Sequence, residues 1–134
     1  MKLFVGIDVS SKDLVTSMIS EENHEVVFRG NFVNDLKGAT ELKKQIINTA
    51  NQIDQVIIGM EATSIYSFHP AMFFQEDIDL KAFNTQSVVV DPKKTKRFHD
   101  VFAEDKNDQI DAYYIADYLR VGHYSIGIVR QENY

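Results

Sequence analysis

Phe4-Val5-Gly6-Ile7-Asp8-Val9-Ser10-Ser11-Lys12 is an apolar, β-branched run with a single carboxylate at its centre. Taking an ion out of water is costly, so an Asp in such a strand is either turned to solvent or held with other charges. Side chains alternate along a strand, which puts Phe4, Gly6 and Asp8 on one face and Val5, Ile7 and Val9 on the other. Gly6 beside Asp8 predicts open space above the strand, room for a substrate backbone or a metal. A strand whose polar face merely carries an Asp accounts for the same residues. What separates the two readings is whether other carboxylates are positioned to join Asp8.

Working outward, Ser10-Ser11-Lys12-Asp13 reads as a turn, 14–20 as a second strand, and 25–33 as a third beyond a polar turn at 21–24. Short polar connections imply an antiparallel meander, since parallel neighbours need long crossovers. Asn34 or Asp35 is placed to cap a helix in which Leu36, Ala39, Leu42, Ile46, Ile47 and Ala50 recur at helical spacing to about Asn51. The nearly continuous apolar run 55–61 is a strand buried on both faces, and it ends in Glu61. Residues 62–64 make a loop and cap before a helix to about Gln75, in which Pro70 marks either a kink or a first turn. Residues 80–84 read as a short fifth strand, and 86–90 are apolar but ambiguous. Asp91-Pro92 is a break. A last helix, 107–120, carries Ile110, Tyr114, Ile115, Tyr118 and Leu119 on one broad face, and Gly122 stops it. Residues 124–129 form one more candidate strand. With no repeat, low-complexity tract or linker, residues 1–134 read as a single domain. Strands separated by helices imply right-handed crossovers and a sheet covered on both sides. An α/β mixed five-stranded sheet flanked by helices in this order is the ribonuclease H-like arrangement.

Composition narrows the function. The 134 residues are 44% hydrophobic and 25% charged, ordinary for a globular domain large enough to bury a core. No apolar run reaches the length of a membrane span, and Met1-Lys2 leads straight into a strand rather than a signal peptide. The absence of cysteine excludes thiolate metal sites and fits a cytoplasmic location. A net charge of -6 argues against a protein that coats nucleic acid non-specifically. The charge is unevenly spread: Lys93, Lys94, Lys96 and Arg97 form a basic cluster, while Glu104, Asp105, Asp108 and Asp111 follow it. This pattern fits a cation site beside a phosphate-binding surface, and it also fits a solvated loop.

Four acids fall where the expected topology can gather them. Asp8 lies on the first strand and Glu61 at the end of the strand after the first helix. Asp108 and Asp111 open the last helix three residues apart, within one turn and on one face. Carboxylates so gathered repel one another unless a cation neutralises them. Hard divalent ions such as Mg2+ or Mn2+ prefer these ligands, and a pair of ions serves phosphoryl transfer. Taken singly, Asp108 and Asp111 also suit a helix N-terminus, and Glu61 also suits an exposed strand end. Asp117 is expected on the far, solvated side of the helix, Asp13 and Asp105 in turns or loops. His24, His69, His99 and His123 show no ligand spacing.

Gly6-Ile7-Asp8-Val9-Ser10-Ser11-Lys12, Glu61-Ala62-Thr63-Ser64-Ile65-Tyr66 and Lys106-Asn107-Asp108-Gln109-Ile110-Asp111-Ala112, with Ile115-Ala116, resemble the DEDD transposases of insertion sequence 110. The three motifs span nearly the whole chain in the family's order. The resemblance implies a RuvC-like domain of the ribonuclease H fold in which Asp8, Glu61, Asp108 and Asp111 are catalytic and bind Mg2+ or Mn2+, as two ions. It implies DNA as partner, recombination of a mobile element, a bridging guide RNA in some members, and a homo-oligomer. Lys106 occupies the family's Lys before the third acid, and Lys93, Lys94, Lys96 and Arg97 join it as expected nucleic-acid contacts. Two departures stand out. Ser64 replaces a Gly that the family places before its Tyr, and the family's second, serine-bearing domain has no counterpart within these residues. Other readings of the same features are a Holliday-junction resolvase-like nuclease and a non-catalytic nucleic-acid interaction module. A sugar-kinase-like or actin-like domain also starts on a Gly-x-Asp strand, but it needs Gly-rich phosphate loops that six glycines do not supply here.

Overall fold

Five strands form one mixed sheet in the order β3-β2-β1-β4-β5, with β1 at the centre. The computed structural model describes residues 1–22, 25–61, 68–90 and 108–121, and at residues 68 and 108–110 the backbone alone. β1 (Lys2–Val9), β2 (Asp13–Ser20) and β3 (Val26–Val33) form the expected antiparallel meander. The turn after β1 is closed by Ser10, whose hydroxyl accepts from the Asp13 N–H at 3.0 Å, while the Asn34 amide donates to the Ser10 carbonyl at 2.8 Å. Helix α1 (Leu36–Thr49) then crosses one face so that β4 (Gln55–Glu61) returns parallel to β1. Asp35 is its cap, accepting from the Gly38 N–H at 2.7 Å.

The chain next forms α2 (Phe68–Glu76), α3 (Ile78–Lys81), β5 (Gln86–Val90), parallel to β4, and α4 (Asp108–Val121). Pro70 stands in the first turn of α2, where its missing N–H has no partner to lose. The fifth strand is 86–90, not 80–84. Asp77 caps α3 by accepting from the Asp79 and Leu80 N–H groups at 3.0 and 3.1 Å, and the backbone turns at Asn84 with a positive φ of 51°. That local capping curls 78–81 into helix, and the β-branched run behind it takes the place beside β4. The candidate strand at 124–129 lies outside the described residues.

The two sheet faces are covered differently. On one, Leu3, Val5, Ile7, Leu14, Met18, Val56, Ile58 and Met60 meet Ala39, Leu42 and Ile46 of α1 and Ala71 and Phe74 of α2 in the larger core. On the other, α4 lies across β1, β2 and β4, and Tyr118 and Leu119 join Phe4, Ile57, Val88 and Val90 in a smaller one. Lys43 of α1 ties this framework to α3 by ion pairs to Asp77 at 2.9 Å and Asp79 at 2.8 Å.

Candidate active site

Alternation along β1 gives the face beneath α4 the residues Phe4, Gly6 and Asp8, and along β4 it gives Ile57, Gly59 and Glu61. The parallel register pairs Gly6 with Gly59 and Ile7 with Met60, so one further step brings Asp8 level with Glu61. Neighbouring strands run about 4.8 Å apart, which makes these two half-buried carboxylates adjacent at the C-terminal edge of the sheet. Asp8 faces Val15 across β2, and Glu61 faces Val90 across β5. Both flanking residues are buried and apolar. The two acids therefore sit between apolar neighbours on the adjoining strands.

The space above Gly6 is filled by the protein itself, which corrects the expectation of room for a ligand there. A Cβ at Gly6 would collide with the Ala112 carbonyl and the Ala116 N–H, and one at Gly59 would press on the Leu119 side chain at 2.6 Å. Ser17, paired with Gly6 across β2 and buried, continues this small-residue row. With Ala112 and Ala116 offering only methyl groups, helix backbone and sheet backbone meet at close range. The direction of α4 follows: Ala112 and Ala116 lie over Gly6, whereas Tyr118 and Leu119 lie over Phe4 and Ile57. The N-terminus of α4 thus points toward the strand ends that carry Asp8 and Glu61.

α4 opens at Asp108, one helical turn before Ala112. Asp111, next to Ala112, is half-buried at the same end of the sheet. β1 and β4 bring Asp8 and Glu61 together at that edge, and α4 opens on Asp108 and Asp111. Asp8, Glu61 and Asp111 are each engaged in a polar or electrostatic interaction. Among the described residues no group of three or more His, Cys, Asp or Glu converges tightly enough to hold a metal ion; the Asp108 side chain lies outside that set. The donor chemistry, all carboxylate on a chain without cysteine, suits a hard divalent ion.

Asp117 is not on a solvated face. It is half-buried and accepts from the Arg120 Nε at 2.7 Å, because α4 is wide enough in contact with β2 to cover that flank as well. Burial, followed by the nearby Asp117 charge, raises the Tyr113 phenol above its ordinary value. Lys93, Lys94, Lys96, Arg97 and Lys106 lie outside the described residues, as do Thr63, Ser64, Ile65 and Tyr66. The sequence reading missed the helix seat made by Gly59, Ala112 and Ala116. The signal for it was the four-residue spacing of two alanines on a helix that follows two strand glycines.

A family profile described as a transposase, the DEDD type of insertion sequence 110, matches residues 5–134. Among solved structures, Thermus thermophilus RuvC in complex with a Holliday junction substrate superposes with a TM-score of 0.58 at 9% identity, covering 96% of this chain and 100% of that one. A second Thermus thermophilus RuvC structure gives 0.57 at 9% identity, with 95% and 99% covered. At that identity the likeness is one of fold, and it makes this sheet RuvC-like within the ribonuclease H arrangement. A search of curated proteins gives no match.

Proposed function

This chain belongs to the DEDD transposases of insertion sequence 110, and we propose that it is a divalent-metal-dependent DNA strand cleavage and transfer domain. The observation that carries the reading is the register that sets Asp8 beside Glu61, at the edge toward which α4 directs its first turn. In this reading Asp8, Glu61, Asp108 and Asp111 hold Mg2+ or Mn2+, as two ions. Bound there, the ions would supply activation of an attacking oxygen and charge stabilisation of the leaving one. The chain's own contribution is placement. Asp8 and Glu61 are fixed by the two innermost parallel strands, so their spacing cannot drift without breaking the sheet. Asp108 and Asp111 ride on a helix locked by backbone contact over Gly6. Val15 and Val90 keep water from the flanks of the strand pair, which strengthens any charge interaction between the acids and a bound cation. Lys93, Lys94, Lys96, Arg97 and Lys106 would draw in DNA phosphates, in the cytoplasm, with a bridging RNA where the element encodes one. Strand exchange needs more than one copy, and a homo-oligomer follows.

The test is titration of Mn2+ or Mg2+ into the wild-type chain and the Asp8→Asn and Asp111→Asn variants, read by calorimetry and thermal shift, with Asp117→Asn as a control. Saturable binding in wild type and control, lost in both site variants, is expected. Binding that survives both changes removes the four-acid site. The RuvC likeness favours one second reading, a resolvase-like nuclease acting on branched DNA. Equal affinity for a four-way junction and a linear duplex of the same sequence counts against it.

A further inference from the structure

The two edges of the sheet are finished differently. At β5 the Gln75 side chain accepts from the Ser87 N–H at 2.9 Å, so part of that edge is closed by α2. β3, at the other edge, runs for eight residues, and among the described residues no element lies along its outer side. Its face toward α4 is also largely exposed among the described residues. Val27 and Val33 are 45% and 57% exposed, with Arg29 and Asn31 exposed between them. Open edges of this length invite pairing with another chain.

The sequence of that edge is close to a palindrome: Val27-Phe28-Arg29-Gly30-Asn31-Phe32-Val33. Antiparallel pairing of the strand with its own copy about Gly30 sets Val27 opposite Val33, Phe28 opposite Phe32, and Arg29 opposite Asn31. Each apolar position meets an apolar one and the cation meets an amide acceptor. Pairing about Arg29 would instead place two cations face to face, which is unfavourable. The backbone is turned the right way. Asn34 N–H donates to the Lys12 carbonyl at 2.8 Å beside the β2–β3 ladder, so by alternation Phe28, Gly30 and Phe32 face β2 and Arg29 and Asn31 turn their N–H groups outward, up to the bulge that breaks the register between Phe28 and Val26. At the centre is Gly30, where a Cβ would lie 2.9 Å from the edge of the Phe28 ring and would make that ring shift. Phe28 and Phe32 stack over it with ring centroids 6.2 Å apart, and a second copy would extend that stack across the symmetry axis.

We propose that β3 is a homodimerisation edge, pairing antiparallel with β3 of a second copy about Gly30 to make one continuous sheet with both α4 helices on the same side. The inference is independent of the metal site. The test is sedimentation equilibrium of the full chain over a wide concentration range, with Asn31→Asp, Asn31→Lys and Asn31→Pro. Wild type is expected to show a monomer–dimer equilibrium. Asn31→Asp, which gives Arg29 of each copy a carboxylate partner, should tighten it about tenfold, and Asn31→Lys should weaken it about tenfold. Asn31→Pro, which deletes an outward N–H, should abolish the dimer while circular dichroism stays that of the folded chain. Should the proline variant not fold, the opposite responses of the two charged variants still decide. A mass that stays monomeric in wild type, or moves alike in both charged variants, overturns the proposal. So does an Asn31→Lys gain in single-stranded oligonucleotide affinity with no change in mass, which would make the face a nucleic-acid surface.

Discussion

One face of the sheet is filled by large side chains and the other is seated on missing ones. Beneath α1 and α2, Leu42, Ile46 and Phe74 interdigitate with Leu3, Val5, Ile7 and Met18, an interface that gains its stability from buried apolar area. Beneath α4, Gly6 lets the helix backbone at Ala112 and Ala116 approach β1 directly, and Gly59 makes room for the Leu119 side chain. Interdigitated leucines can slide and repack by a few tenths of an ångström. Backbone against backbone cannot. The first face holds the fold together, and the second fixes where one helix begins, which is what the four-acid proposal needs.

The largest expected effect belongs to the first face. Leu42→Ala leaves a cavity in the main core and should cost about 3 kcal/mol in urea unfolding, with hydrogen exchange in α4 accelerated no more than elsewhere. Gly6→Ala is expected to cost somewhat less globally, about 2 kcal/mol from overpacking. Its signature is local: the α4 amides should exchange faster than those of α1, because the added Cβ meets the Ala112 carbonyl and the Ala116 N–H. Uniform loss of protection in both variants would erase the distinction between the faces.

A smaller effect sharpens the same comparison from the α1 side. Burial pushes the Asp77 carboxyl up, but the hydrogen bond from Lys43, the Leu80 and Asp79 N–H groups and the Lys43 charge outweigh it and hold it below the ordinary carboxylate value. A depressed folded value means that the stability Asp77 lends is complete above the unfolded value near 3.9 and vanishes as pH falls through the folded one. Asp77→Ala should therefore cost about 1 kcal/mol at neutral pH and give a flatter loss of stability below about pH 4. Urea midpoints from pH 3 to 7 measure this, and an acid limb as steep as in wild type would detach Asp77 from that role.

Most of the sheet was legible in the sequence because its signals are local. Alternation in 4–9, polar turns, and helical spacing from Leu36 to Ala50 each decide their own segment, and the Asp35 cap could be read from one residue. The misreading of 80–84 came from weighing Leu80, Ala82 and Phe83 as a strand while ignoring Asp77, whose capping of Asp79 and Leu80 is the stronger local force. At the candidate site, Asp8 and Glu61 stood out as carboxylates in apolar strands. What filled the space over Gly6 did not, since it is settled by a helix a hundred residues away. Asp117 was assigned to solvent by helical angle alone, and the breadth of the α4 contact with β2 overrode it.

The row Ser17, Gly6, Gly59 has a consequence for the order in which the molecule assembles. The β1–β2–β3 meander needs only short loops to close and can form early, but β4 must return across α1 before Gly59 stands beside Gly6. Only then does α4 have anything to dock on. The strand that bears Asp8 precedes α4, which bears Asp111, by the whole of the intervening sheet. Asp8 and Glu61 would therefore meet when β4 closes on β1, and in the four-acid proposal Asp108 and Asp111 would join them only when α4 docks.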